Sequence, residues 1–202
     1  VTMRQVTGRS SNNSTTKASI RLSSGGRFFS ASTLAGVVAE GCVDVIIDTA
    51  RVTLIPEQMA GTTSPEQFLA ITGQSPLVDE VAVLSSAVDG KIAVLAVNKE
   101  ALEALTTHFG DNMHIISPLL DNRYSHGRGL AIEISESICY LRLYNNGLKV
   151  AEAIDVESYD ELLYYVANIL NTSQESNDIP IYIIGPKKAY KLLKKYYTVI
   201  CE

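Results

Sequence analysis

Leu130-Ala131-Ile132-Glu133-Ile134-Ser135, then Tyr140-Leu141-Arg142-Leu143-Tyr144, the turn Asn145-Asn146-Gly147 and the run Leu148 to Ile154 together decide the fold of this chain. Asn-Gly between two β-rich runs is a strong short-range hairpin signal, because both central turn positions need a positive φ that asparagine and glycine tolerate. A three-stranded meander is therefore predicted between Leu130 and Asp155. The first half of the chain opens in a related way. Ala18-Ser19-Ile20-Arg21-Leu22-Ser23-Ser24 is followed by Gly25-Gly26, read as a second hairpin turn, with Arg27 to Thr33 as the returning strand. Two related halves are the expectation.

Working outward, residues 1–16 are rich in Ser, Thr and Asn without apolar periodicity, and read as a disordered or arm-like segment. Ala35 to Gly41 reads as a loop or weak strand, Val43 to Asp48 as a buried β-branched strand, and Val52 to Gln58 as an edge strand stopped by Pro56. Thr63-Ser64-Pro65-Glu66 supplies a cap and a first-turn proline for a short helix ending at Gly73. Glu80 to Ser86 and Lys91 to Asn98 flank an Asp89-Gly90 turn. Lys99 to Phe109 carries an apolar stripe of Leu102, Leu105 and Phe109, stopped by Gly110, and His114 to Ser117 is a short strand.

Behind the central meander, Ser158 with Glu161 makes a capping box for a helix whose stripe runs from Leu162 to Leu170. Ile179 to Ile184 is a strand, Lys187 to Tyr196 a basic helix, and Thr198 to Cys201 a last strand. This order, three strands, helix, strand, helix, strand, resembles one half of an actin-like fold, and the resemblance implies an α/β chain with an actin-like (ribonuclease H-like) two-lobed fold, with mixed sheets, β-meanders and flanking helices. The expected divisions are 1–16 as the arm, 17–121 as the first lobe and 122–202 as the second.

Of 202 residues, 46% are hydrophobic and 19% charged, enough to bury a core, and the formal net charge is −5. Nucleic acid is an unexpected partner on that balance. Apolar runs such as Ile92 to Val97 fall far short of the roughly 20 residues of a membrane-spanning helix, so a cytoplasmic protein without membrane insertion is expected. Cys42, Cys139 and Cys201 match neither a disulfide framework nor a metal knuckle, and His108, His114 and His126 share no ligand spacing with carboxylates. No metal or other cofactor is implied by these residues.

In actin-like ATPases the first hairpin of each lobe carries an acid-x-glycine turn: the glycine lets backbone N–H groups approach phosphate, and the acid positions the cation. Here the first such place reads Arg21-Leu22-Ser23 and the second Glu133-Ile134-Ser135. One loses the acid and both lose the glycine. The adenosine-side turn is Gly185-Pro186-Lys187-Lys188, with one glycine kept. Arg21, Ser23, Glu133, Ser135 and Gly185 are thus degenerate nucleotide-cleft positions, and a cation at Arg21 opposes magnesium binding. An alternative gives Arg21 with Lys187 or Lys188 an anion without metal. Ser23-Ser24-Gly25-Gly26 lacks the lysine of a phosphate loop. No catalytic residue is nominated.

Ser19-Ile20-Arg21-Leu22-Ser23, Leu54-Ile55-Pro56-Glu57, Tyr140 to Gly147, Asp160-Glu161-Leu162-Leu163-Tyr164-Tyr165 and Tyr182-Ile183-Ile184-Gly185, in that order, resemble the DUF3822 family over roughly residues 17 to 202. That is an uncharacterised group from Bacteroidetes-type bacteria whose members look like actin-like proteins. The resemblance implies a fold and no activity. The leading expectation is a non-catalytic pseudo-ATPase that works as a scaffold through an unknown protein partner, with Tyr164, Tyr196 or Tyr197 at a contact surface. The alternative is a divergent ATP-binding or hydrolysing protein in which Glu133 serves the cation and Gly185 admits the adenosine.

Overall fold

The computed structural model describes residues 19–29, 31–34, 41–123 and 127–201. Its elements run in the order β1 (Ser19–Leu22), β2 (Val43–Ile47), β3 (Val52–Pro56), α1 (Pro65–Ile71), β4 (Glu80–Leu84), β5 (Lys91–Asn98), α2 (Lys99–Phe109) and β6 (Met113–Ile116). Then follow β7 (Arg128–Ser135), β8 (Ile138–Asn145), β9 (Leu148–Asp155), α3 (Tyr159–Thr172), β10 (Ile181–Ile184), α4 (Lys187–Leu193) and β11 (Val199–Cys201). The chain forms two compact units, Val1–Leu120 and Asp121–Glu202. The expected arm at 1–16, most of the Ala35 to Gly41 segment and His126 lie outside the described residues.

The second unit is one five-stranded sheet in the order β11-β10-β7-β8-β9. β7, β8 and β9 form the antiparallel meander, with Asn146 at φ 53° and Gly147 at φ 118° in the turn. β10 runs parallel to β7, and β11 parallel to β10. Parallel neighbours need a crossover, and α3 and α4 supply the two crossovers here. Strand alternation puts Leu130, Ile132, Cys139, Leu141, Leu143, Ile181 and Ile183 into one core with α3 and α4, against Leu162, Val166, Ile169 and Leu193. The N-terminus of α3 is held from both sides. Ser158 Oγ accepts from the Glu161 N–H at 3.3 Å, and the Glu161 carboxylate accepts from the Glu157 N–H at 2.7 Å.

The first unit holds two three-stranded sheets. One is β1-β2-β6, parallel throughout; the other is β3-β5-β4, antiparallel. In β1-β2-β6 the middle strand is parallel to an earlier and to a later strand, the same relation that β10 has to β7 and β11. The repeat between the halves lies in these parallel strands. The antiparallel sheet is built from chain inserted between β2 and β6, around a small core of Ile55, Phe68, Leu69, Ala82, Ile92, Val94 and Ala96. Its β4–β5 turn is Asp89-Gly90, at φ 50° and 70°, closed by reciprocal Val88 and Lys91 backbone hydrogen bonds. Asn98 caps α2 by accepting from the Ala101 N–H at 3.1 Å.

One expectation is corrected. Gly25-Gly26 does not turn β1 into a hairpin, and the described part of Arg27 to Thr33 is turn and 3-10 helix rather than a returning strand. A two-residue hairpin turn needs two positive φ values followed by extended chain. Here Ser24, Gly25 and Gly26 all have positive φ (50°, 64°, 87°) and Arg27 is right-handed helical, so the chain coils instead of returning. β1 draws its partner from β2. The Asp48 N–H donates to the Leu22 carbonyl at 2.8 Å and the Gly25 N–H to the Asp48 carbonyl at 2.6 Å, which fastens the coil to the end of that strand.

Candidate functional site

The coil that follows β1 starts at Ser23, one of the degenerate nucleotide-cleft positions singled out in the sequence. Three of its N–H groups are committed to the chain itself: Gly25 to Asp48, Gly26 to the Ser23 carbonyl at 2.9 Å, and Arg27 to the Ser24 carbonyl at 3.2 Å. The glycines are used for close approach to protein. A Cβ on Gly25 would lie 3.2 Å from the Ala96 carbonyl oxygen of β5, and one on Gly26 only 2.7 Å from the Ala101 Cβ of α2. Small residues therefore let the inserted sheet and its helix press onto the coil.

Arg21 stands at the end of β1 and is gripped at both ends of its fork. Its Nε donates to one Asp48 carboxylate oxygen at 2.7 Å and its Nη2 to the other at 2.8 Å. The Asp48 side chain is 2% exposed, that of Arg21 33%. A bidentate pair of this kind resists opening, because withdrawing the arginine leaves the carboxylate of a buried aspartate without its partner. Beyond the coil, buried Glu80 accepts from Arg51 Nε at 2.8 Å and from the Leu77 N–H at 2.9 Å, with Arg27 Nη2 at 3.8 Å.

In the second unit, Glu133 lies near the end of β7, 6% exposed. Arg142 of β8 is paired opposite Ala131, so it stands on the same sheet face as Glu133, with Nη2 3.6 Å from the carboxylate. Arg142 is fully buried, and its Nη1 lies 3.3 Å from the Asp121 carboxylate. Tyr144 Oη donates to the Asp121 carbonyl at 2.6 Å. Burial works against ionisation of Asp121, but the Arg123 hydrogen bond and the Arg142 charge outweigh it and hold its carboxyl below the usual range. One buried cation, Arg142, thus sits between the Glu133 and Asp121 carboxylates. Burial pushes the Cys139 thiol up to about 12 against the opposing Arg142 charge, so this cysteine is a packed, unreactive side chain.

Ser135 closes β7 opposite Ile138, and Gly185 follows Ile184, which is itself in register with Glu133. Glu133, Ser135 and Gly185 are therefore neighbours at one end of the second sheet, as Arg21 and Ser23 are at the end of β1. Gly185 again serves packing: its absent Cβ would sit 3.0 Å from the Cβ of Ile134. Among the described residues no group of three or more His, Cys, Asp or Glu is placed to hold a metal ion. No helix among them is long and apolar enough to cross a membrane.

Sequence reasoning missed Asp48, Asp121 and Arg142. Arg142 had a legible signal, a single charge inside the alternating run Tyr140 to Tyr144, in phase across the hairpin with Glu133. Asp48 had a weaker one, as the acid that ends a β-branched strand.

No protein-family model matches the chain, and no curated protein matches it. Solved structures do. A crystal structure from Bacteroides thetaiotaomicron VPI-5482, of a protein with actin-like ATPase fold and unknown function, is 12% identical, with a TM-score of 0.67 over 80% of this chain and 68% of that one. The cytoplasmic domain of EpsL, an inner membrane component of the type II secretion system of Vibrio cholerae, is 15% identical over 77% of this chain and 66% of that one, with a TM-score of 0.41. A filament of AlfA bound to AMPPNP is 13% identical over 80% and 53%, with a TM-score of 0.39. The chain has the actin-like ATPase fold, in its mixed α/β form.

Proposed function

We propose that this actin-like chain is a non-catalytic pseudo-ATPase that acts as a scaffold through contacts with protein. The observation that carries the proposal is the coil after β1, whose glycines admit Ala96 and Ala101 and whose Gly25 N–H is spent on Asp48. Phosphate needs those donors free and that space open. Arg21 adds to this, since its fork faces Asp48 rather than an anion. Tyr164 and Tyr196, 66% and 60% exposed, supply the amphipathic surface that contacts favour, whereas Tyr197 packs on the core and burial raises its phenol pKa. The proposal includes kinship with the DUF3822 proteins, on the residue runs quoted above.

The competing reading, a divergent ATP-binding protein, draws on the acid kept at Glu133. Arg142 at 3.6 Å counts against it, because a magnesium ion there would have to compete with a buried guanidinium. Calorimetry with ATP and Mg²⁺ tests the proposal, with Glu133→Ala and Arg21→Ala as companions. No saturable heat is expected from the native chain. Saturable micromolar binding that disappears in Glu133→Ala would overturn it.

A further inference from the structure

The protein carries more acid than base, yet five of its lysines fall between Lys187 and Lys195, and no Asp or Glu occurs from Gly185 to Cys201. All five are exposed. Lys194 lies 5.4 Å from the centre of the Tyr190 ring, and none of the five is held in an ion pair among the described residues. They sit on α4 and the turn that leads into β11, the strand at one edge of the second sheet. Tyr196 and Ile200, 60% and 44% exposed, lie among them in the chain.

The opposite edge of the same sheet is β9. From Glu152 to Glu161 the chain holds five acids and no base. Glu152, Asp155, Glu157 and Asp160 are exposed, and they too form no ion pair among the described residues. The two edges of one sheet thus carry opposite net charge, the single base of β9, Lys149, being outnumbered by these acids.

We propose that the α4–β11 edge of one molecule docks on the β9–α3 edge of a second copy of this chain. The contact is head to tail, so each docked copy still offers one unused edge, and the association is open-ended rather than a closed dimer. A second copy fits better than a polyanion. The basic edge has no arginine, the residue best matched to phosphate, and the net charge of the whole chain, −5, opposes approach to nucleic acid or an anionic membrane. The complementary surface, by contrast, is present on every molecule. This inference deepens the scaffold reading by naming a partner and rests on it; the two fail separately, because nucleotide binding is absent from the test below.

Sedimentation velocity of the full chain at about 10 mM and about 1 M salt, where charges are screened beyond roughly 30 Å and roughly 3 Å, is the measurement. Self-association at low salt that vanishes at high salt is expected. The exposed triple variants Lys191→Glu/Lys194→Glu/Lys195→Glu and Glu152→Lys/Asp155→Lys/Glu157→Lys, checked for fold by far-UV circular dichroism, should each be monomeric alone. Mixed together they should associate again, since one then has two acidic edges and the other two basic ones. A native chain that is monomeric at low salt overturns the proposal, whether or not it shifts a duplex DNA fragment or cosediments with phosphatidylserine vesicles. So does a lysine variant that associates as the native chain does, or a mixture that stays monomeric.

Discussion

The ends of β1 and β7 hold equivalent stations in the two units, each the strand whose parallel partner leads on to a further parallel strand, and the chain fills them in different ways. At β1 the closure is made by backbone and packing: a coil of three left-handed residues is tied to Asp48 and pressed by Ala96 and Ala101, with Arg21 clamped alongside. At β7 it is electrostatic: Arg142 is buried beside Glu133 and Asp121. On the proposed reading, a nucleotide site is lost either by filling its space or by supplying its countercharge from within. The first loss is the harder to reverse, because no single side chain holds it in place.

That difference can be broken experimentally, and the largest effect is expected at Arg142. Arg142→Ala removes a fully buried cation from beside buried Glu133, while half-buried Asp121 keeps Arg123, and should cost about 3–5 kcal/mol in denaturant unfolding. A loss under 1 kcal/mol would mean the cation does not hold this face together. Next comes Gly26→Ala, which meets the Ala101 Cβ at 2.7 Å in a backbone region unfavourable to side chains, for about 2–3 kcal/mol. Gly61→Ala, at φ 82° with nothing within 4 Å, isolates the backbone share and should cost only about 1 kcal/mol. Equal losses at the two glycines would remove the packing argument.

Arg21→Ala should cost about 2 kcal/mol, less than Arg142→Ala because Arg21 is one-third exposed and water can reach the Asp48 carboxylate it leaves behind. The double variant Arg21→Ala/Asp48→Ala should recover part of that loss in a thermodynamic cycle, and strict additivity would contradict the pairing.

The smallest effect is in pH. The Glu175 carboxyl is held below its usual range, first by the Arg128 hydrogen bond and then by Asn145, and Asp121 is lowered as well. The unfolded chain therefore takes up these protons at a higher pH than the folded one. Their stabilisation is complete above about pH 5 and is lost as pH falls through the depressed folded values. Glu175→Gln should make the fall in stability between about pH 5 and pH 3 shallower. An unchanged slope would show that the Arg128 contact does not persist in solution.

How much of this could be read in the sequence follows from which forces are local. Asn146-Gly147, Asp89-Gly90, the Ser158–Glu161 box and Gly110 each specify a turn or helix end within a few residues, and each appears where it was expected. Ser24-Gly25-Gly26 failed as a hairpin because its positive φ values are set by residues distant in sequence, Asp48, Ala96 and Ala101. Arg21 and Glu133 stood out in the sequence against the acid-x-glycine pattern. Their partners stood out less: Arg142 shows as a lone charge in an alternating run, but its pairing, like that of Asp48, depends on strand neighbours. The insertion of β3, β4 and β5 between two parallel strands was hidden for the same reason, as strand order is invisible to periodicity.

The most direct test is the Gly25 amide in a ¹⁵N-labelled sample. Its donation to Asp48 at 2.6 Å predicts slow hydrogen exchange and an amide resonance that stays in place on addition of millimolar Mg²⁺–ATP. Rapid exchange, or a shift of the Gly25 and Gly26 resonances that saturates with nucleotide, would contradict the claim that the coil after β1 is filled by the chain itself.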